Sequence, residues 1–246
     1  MKILVAISKA PDTTSKISFT DGDTKFNEAG VQFIINPYEE WYALVRGLEL
    51  KEAQGGSVTT ITIGDASSDP IIRKALAIGA DDAVRIDAQP TDAYFVATQI
   101  AEYAKDKGYD LIMVGKETID YNGSQVGGLV AGMMDLPYMP NTSKLEVAGT
   151  TATAERDVQA GEEVLEAQLP LVLSASKGMS EQRIPNMRGI MAARSKKLEV
   201  LPAVDASALT EIISYTLPPA KSAVKLIDPE NAGDLIQLLH TEAKVI

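Results

Sequence analysis

The chain has no cysteine and one histidine, His240, near its C-terminal end. Without thiolates there is no cysteine nucleophile, iron–sulfur ligation or zinc–thiolate site, and the lack fits a reducing compartment. One histidine with no Ser or Asp constellation around it in sequence argues against conventional histidine-based acid–base catalysis. Basic residues are also short: 23 Lys and Arg face 34 Asp and Glu, so the net charge is −11. A nucleic-acid partner needs a basic face to neutralise phosphates, and an anionic membrane surface needs the same, so the charge argues against both. No apolar stretch reaches the ~18 residues of a membrane span. The opening run Lys2-Ile3-Leu4-Val5-Ala6-Ile7 is too short for a signal segment and reads as a first strand, so no targeting peptide is expected. What remains is a protein that binds rather than reacts.

The 246 residues suit one large α/β domain, alone or with an appendage, and a globule of this size buries about three-quarters of its unfolded surface. Short apolar runs alternate with helical periodicity over the first 140 residues. Residues 2–8 form a strand, followed by a hairpin-like excursion around Asp21-Gly22-Asp23. Asn36 is read as an N-cap with Pro37 at the first helical position, and Trp41, Leu44, Val45 and Leu48 keep the spacing of a helix on a sheet. Gly55-Gly56 stops that helix. Residues 58–63 are a buried strand, Asp69-Pro70 opens a helix that Gly79 closes, and residues 83–86 are the next strand. Thr91 is read as the cap of a helix carrying Val96, Ile100 and Tyr103, ended by Gly108 before a strand at 111–114. This alternation predicts a doubly wound, mostly parallel sheet, whose ligands sit at the carboxyl ends of strands.

After Pro140, segments 143–147, 151–156 and 164–168 predict antiparallel hairpins. The expected division is a nucleotide-binding domain over 1–200 and a C-terminal arm over 201–246. Its final amphipathic helix, with Leu235, Ile236 and Leu239 on one stripe, is expected to pack on a partner.

Neither a Gly-x-Gly-x-x-Gly fingerprint nor a Walker A loop occurs. The most ligand-like segment is Gly115-Lys116-Glu117-Thr118-Ile119-Asp120-Tyr121-Asn122-Gly123-Ser124-Gln125-Val126. It leaves a strand end and enters a helix with the stripe Val126, Leu129, Val130, Met133, placing Gly123, Ser124 and Gln125 at a helix N-terminus that attracts phosphate. An ordinary loop with Ser124 as N-cap reads the same way. A second segment, 183–197, holds five of the 23 basic residues: Arg183, Arg188, Arg194, Lys196 and Lys197. Its two readings are a solvated helix face and a docking patch with Met187 as an apolar contact.

Together these residues resemble electron transfer flavoprotein beta subunits over essentially the whole chain. The matching pieces are the strand at 3–7 followed by Pro11-Asp12, Asn36-Pro37 with an aromatic next, and Arg73-Lys74-Ala75-Leu76-Ala77-Ile78-Gly79-Ala80-Asp81. They continue with Gly115-Lys116-x-x-Ile119-Asp120, Gln125-Val126-Gly127, Leu169-Pro170, and Arg183 through Gly189-Ile190-Met191-Ala192-Ala193. The resemblance implies a fold like that of the adenine nucleotide alpha hydrolases without hydrolase activity, and no catalytic residue. It implies a structural AMP, held by Ala6, Asn36, Pro37, Tyr38, Glu39, Ile63 and the loop from Gly115 to Val126, and no metal. FAD would sit mainly on an alpha subunit, with Tyr38 towards the flavin side. The heterodimer would carry electrons from flavin dehydrogenases, such as those oxidising acyl-CoA, to a quinone oxidoreductase. Arg183, Met187, Arg188, Ile190, Met191 and Arg194 would dock the dehydrogenase, Met187 standing where the family often has leucine. The implied location is the bacterial cytoplasm.

Three departures stand out: Thr13 where many members have a tyrosine near the flavin, the turn Gln159-Ala160-Gly161, and the less acidic run Tyr121-Asn122-Gly123-Ser124. A bifurcating type with a second FAD in place of AMP is the alternative inside the family. An ATP-hydrolysing enzyme using Lys116 and Asp120, and a homodimeric ATP-binding module, are the alternatives outside it.

Overall fold

The computed structural model describes residues 1–221 and 223–246. Seven strands form the central sheet: β1 (Lys2–Ala6), β6 (Ser57–Ile63), β7 (Asp82–Asp87), β8 (Leu111–Gly115), β9 (Tyr138–Thr142), β13 (Leu171–Ala175) and β14 (Leu198–Pro202). Their order is β14-β7-β6-β1-β8-β13-β9, and every neighbouring pair is parallel. Between β1 and β6 come a short antiparallel pair, β2 (Lys9–Pro11) with β5 (Phe33–Ile35), and a small hairpin of β3 (Phe19–Thr20) and β4 (Lys25–Phe26).

Both faces of the sheet are covered. On one side α1 (Glu39–Gln54), α2 (Asp69–Ile78) and α5 (Met187–Ala193) close a core containing Ile3, Val5, Leu44, Leu48, Ile72, Leu76, Met113 and Leu173. On the other, α3 (Ala93–Ala104) and α4 (Val126–Met134) pack over Leu4, Ile61, Val84, Ile112 and Val172. The near-continuous apolar runs of β1, β8 and β13 follow from this two-sided burial. The hairpins expected after Pro140 are one three-stranded antiparallel sheet: β10 (Lys144–Ala148), β11 (Thr151–Val158) and β12 (Gly161–Gln168). Its inner residues Leu145, Val147, Ala152 and Ala154 join the core on the α1 side, where Arg46 donates to the Leu145 carbonyl at 3.0 Å.

From β1 the chain winds through β6 to β7, and then crosses to β8 on the other side of β1. The winding therefore reverses between β1 and β8, where the loops after those two strands diverge and leave a crevice.

Three helix starts differ from expectation. Asp92, not Thr91, caps α3, its carboxylate accepting from the Phe95 N–H at 2.7 Å. Asn36 and Ser124 cap nothing: α1 begins at Glu39 behind Tyr38, α4 begins at Val126 behind Gln125, and neither helix has a side-chain cap. α3 ends at Ala104, ahead of Gly108. Three strands of the central sheet, β9, β13 and β14, were not anticipated.

The C-terminal part divides in two. Residues 203–215 lie along their own domain: Gln99 exchanges two hydrogen bonds with the Val204 backbone (3.0 and 2.8 Å), Asp92 accepts from the Leu209 N–H, and Tyr215 stacks on Phe19 with ring centroids 4.7 Å apart. Beyond them α6 (Ala232–Leu238) carries Leu235 and Ile236 exposed, and Leu217, Val224 and Leu226 are exposed as well.

Candidate functional site

The residues singled out in sequence converge on the crevice. Ala6 ends β1, Ile63 ends β6 and Gly115 ends β8, three adjacent strands whose carboxyl ends face the same way. Asn36 is fully buried, and its amide is spent on the loop: Nδ2 donates to the Glu117 carbonyl and Oδ1 accepts from the Ile119 N–H, both at 3.0 Å. Its role is therefore to shape the 115–126 loop, across 81 residues of sequence. Buried Pro37 leads to Tyr38, whose φ of 66° is unusual for a bulky residue and turns the chain sharply into α1.

That turn brings the start of α1 against the end of β8. A Cβ on Gly115 would lie 2.8 Å from Cγ of Glu40 and 3.2 Å from Cβ of Glu39, so only glycine allows the approach. Gly127 does the same for α4, where a Cβ would meet Tyr138 and Val114 within 2.9 Å. Met133, placed on the apolar stripe of α4, is in fact exposed, and the buried face is Gly127, Val130 and Ala131.

Electrostatics at the mouth are mixed. Lys116 pairs with Glu117 at 3.1 Å, and the Ser124 hydroxyl donates to the same carboxylate at 3.1 Å. Lys116, with help from Ser124, holds Glu117 below the ordinary carboxylate range. Burial pushes Glu39 up. It pushes the buried Glu40 much further, to about 8, although Ser8 donates to it through both its N–H (2.7 Å) and its hydroxyl (2.9 Å). The sequence places Glu39 and Glu40 alike at the dipole end of α1, and Glu40 was not among the expected site residues, because only packing separates the two.

With Lys116 and Ser124 occupied by Glu117, the free donors for an anion are backbone N–H groups at the uncapped start of α4. Asn122 and Ser124, with φ of 49° and 51°, turn the chain into that helix. Among the described residues no group of three or more acidic or histidine side chains is placed to hold a metal. A second hollow of about 720 Å³ lies beside Tyr38, lined also by Tyr42, Glu49, Lys177 and Ser180, and nothing in the sequence pointed to it.

The residues expected from the resemblance to dock a partner form a separate patch. α5 is capped by Asn186, which accepts from the Gly189 N–H at 2.8 Å, and packs on α2 so closely that a Cβ on Gly189 would collide with the Ala77 carbonyl. Met187, Met191 and Ile184 are 73%, 69% and 82% exposed, and Ile190 is exposed too. The basic run is less free than its composition implied. Arg183 forms a two-pronged pair with Glu52 (2.6 and 3.0 Å), Lys197 pairs with Glu199, and Lys196 binds backbone carbonyls, leaving Arg188 and Arg194 facing outward.

Fold and crevice define a doubly wound α/β protein with a ligand-type opening at its switch point. Residues 23–206 match the electron transfer flavoprotein domain model. Over the full length of both chains, the sequence is 38% identical to an electron transfer flavoprotein subunit beta of Bacillus subtilis. It is 34% identical to one from Syntrophomonas wolfei, covering 94% of this chain and 91% of that one. The human subunit beta is 31% identical over 100% and 99% of the two chains. The chain belongs to the family of electron transfer flavoprotein beta subunits. Membership brings with it an electron-transfer role and an alpha-subunit partner. Among the described residues no helix is long and apolar enough to cross a membrane.

Proposed function

We propose that the chain is the beta half of a heterodimer in which it holds one structural AMP and encloses the edge of an FAD carried mainly by the alpha subunit. It has no catalytic activity of its own. The heterodimer takes electrons from flavin dehydrogenases, such as acyl-CoA dehydrogenases, and passes them to a quinone oxidoreductase in the bacterial cytoplasm.

The observation that carries the AMP assignment is the Asn36-clamped loop, which delivers the uncapped N-terminus of α4 to the switch-point crevice. Adenine and ribose would rest against the strand ends at Ala6 and Ile63, with the phosphate towards the first turn of α4. Tyr38 and its adjoining hollow would face the flavin. The exposed Met187, Ile190 and Met191 would dock the dehydrogenase, and the exposed side chains after Tyr215 would pack on the alpha subunit.

One experiment tests the core of this reading: denature the purified heterodimer and identify the released nucleotides by mass. One AMP and one FAD per heterodimer are expected. Two FADs would assign the bifurcating type instead, and ATP with measurable turnover would assign a hydrolase.

A further inference from the structure

Between α2 and the segment leading into α5 lies a hollow of about 590 Å³, lined by Pro70, Arg73, Lys74, Pro185, Ile190 and Arg194 among others. Its composition is unusual for this molecule. Three cations and no carboxylate line it, on a chain with net charge −11.

Each cation is held there differently. Arg73 is fixed from behind, its Nη1 donating to the carbonyls of Ala193 (2.8 Å) and Lys196 (2.7 Å), so the guanidinium cannot swing away. The Lys74 ammonium stands 4.4 Å over the ring of Trp41, and partial burial lowers its pKa below the lysine range. The exposed carboxylate of Asp12 acts on it only as a lesser influence, and lies outside the lining. Arg194 follows the last turn of α5 and takes no ion pair among the described residues. The Trp41 face steadies the Lys74 ammonium, while the mutual repulsion of the three cations is relieved by an anion arriving from outside. The hollow adjoins the exposed apolar side chains of Ile184, Met187 and Met191, and Ile190 belongs to both.

We propose that this hollow is a carboxylate receptor: a protein that docks on Met187 and Met191 inserts an acidic side chain between Lys74 and Arg194. This rests on the docking reading above and deepens it, bringing α2 into the interface and giving the partner a definite chemistry. The partner's matching surface is an apolar pocket for Met187 with an Asp or Glu on a protruding element beside it. Rigid Arg73 presets the geometry, while Lys74 and Arg194 close on the anion.

The test uses the complete heterodimer and an acyl-CoA dehydrogenase from the same source organism, reduced with its acyl-CoA. Arg73 is left intact because it also holds α5. Carbodiimide joins an ammonium to a carboxylate in contact with it, and mass spectrometry of the coupled complex should find Lys74 bonded to an Asp or Glu of the dehydrogenase. Lys74→Glu with Arg194→Glu should slow flavin reduction about tenfold at low ionic strength and much less at high. The double variant should keep its nucleotides and its reduction by dithionite. If Met187→Ala slows reduction while the double variant reacts normally and Lys74 stays uncoupled, the receptor is disproved and the docking surface stands. If Met187→Ala also has no effect, the docking reading itself fails and the receptor with it.

Discussion

Arg73 donates to the backbone carbonyl of Lys196 at 2.7 Å, while the Lys196 ammonium returns to the carbonyls of Leu76 (2.9 Å) and Ala80 (2.5 Å), at the end of the helix that carries Arg73. Each residue thus caps the carboxyl end of the other's segment, where the helix dipole favours a cation. Charge alone puts Lys196 in a basic run that reads either as a solvated helix face or as a docking patch. Its environment makes it a brace. Lys196→Met keeps the aliphatic stem and removes the charge-assisted bonds, so it should cost about 1–3 kcal/mol. Thermal melting should fall by several degrees for a chain of this length, and reduction by a dehydrogenase should be unaffected. Unchanged melting would show that water replaces the ammonium without loss.

Asn36 satisfies a carbonyl and an N–H of the same loop, which no isosteric substitution can do as well. Asn36→Asp retains the acceptor for Ile119 but sets a carboxylate against the Glu117 carbonyl, which repels it. The heterodimer should then lose most of its AMP during purification, while melting drops by only about 1–3 kcal/mol equivalent. Full AMP content in the variant would mean that the loop holds its shape without the clamp.

Gly123 gives a sharper probe of the nucleotide than its place in the loop suggested. A Cβ there meets no atom within 4 Å, and its φ is not among the positive ones. Gly123→Val should therefore leave melting of the nucleotide-free chain nearly unchanged, and weaken AMP binding only if phosphate approaches that backbone. Calorimetric titration with AMP separates the two effects. Equal affinity in the variant would move the phosphate elsewhere.

Glu40 predicts a pH dependence. Burial raises its pKa from the ordinary 4.5 to about 8, so over that window the folded chain holds a proton that the unfolded chain releases. Stability from this group is complete below about 4.5 and is lost as pH rises through about 8. Glu40→Gln, uncharged throughout, should flatten the fall in melting temperature between those values. A variant with the same slope as the parent would place the titration on other groups.

The helix-and-strand alternation of the first 115 residues was legible because β1, β6 and β8 are short, largely apolar runs and two of the three helices break at a glycine, Gly55 and Gly79. β13 was hidden. Its five residues are buried throughout, and they re-enter the parallel sheet only after the antiparallel excursion of β10 to β12, so the rhythm gave no cue. Two of the three expected caps failed for one physical reason. Asn36 and Ser124 are good capping types, yet tertiary partners claimed their side chains: Asn36 binds the 117–119 backbone, and Ser124 binds Glu117. The candidate site was therefore legible as a place in the chain, while which side chains shape it depended on contacts across the fold, as Asn36 shows with the 117–119 backbone. Lys74 shows the same limit: nothing around it in sequence foretells that Arg194 would line the same hollow.

Tyr215 fixes one end of a leash. Sixteen residues separate it from α6, three of them in the turn Pro229–Asn231, and Lys225 pairs with Glu242 at 2.8 Å. In the proposed heterodimer this tether would hold α6 close to the alpha subunit's surface, at an effective concentration on the order of millimolar. A weak helix contact then suffices to slow separation of the subunits. Cutting the chain after Tyr215 should shorten the lifetime of the complex far more than it alters the rate at which the complex first forms.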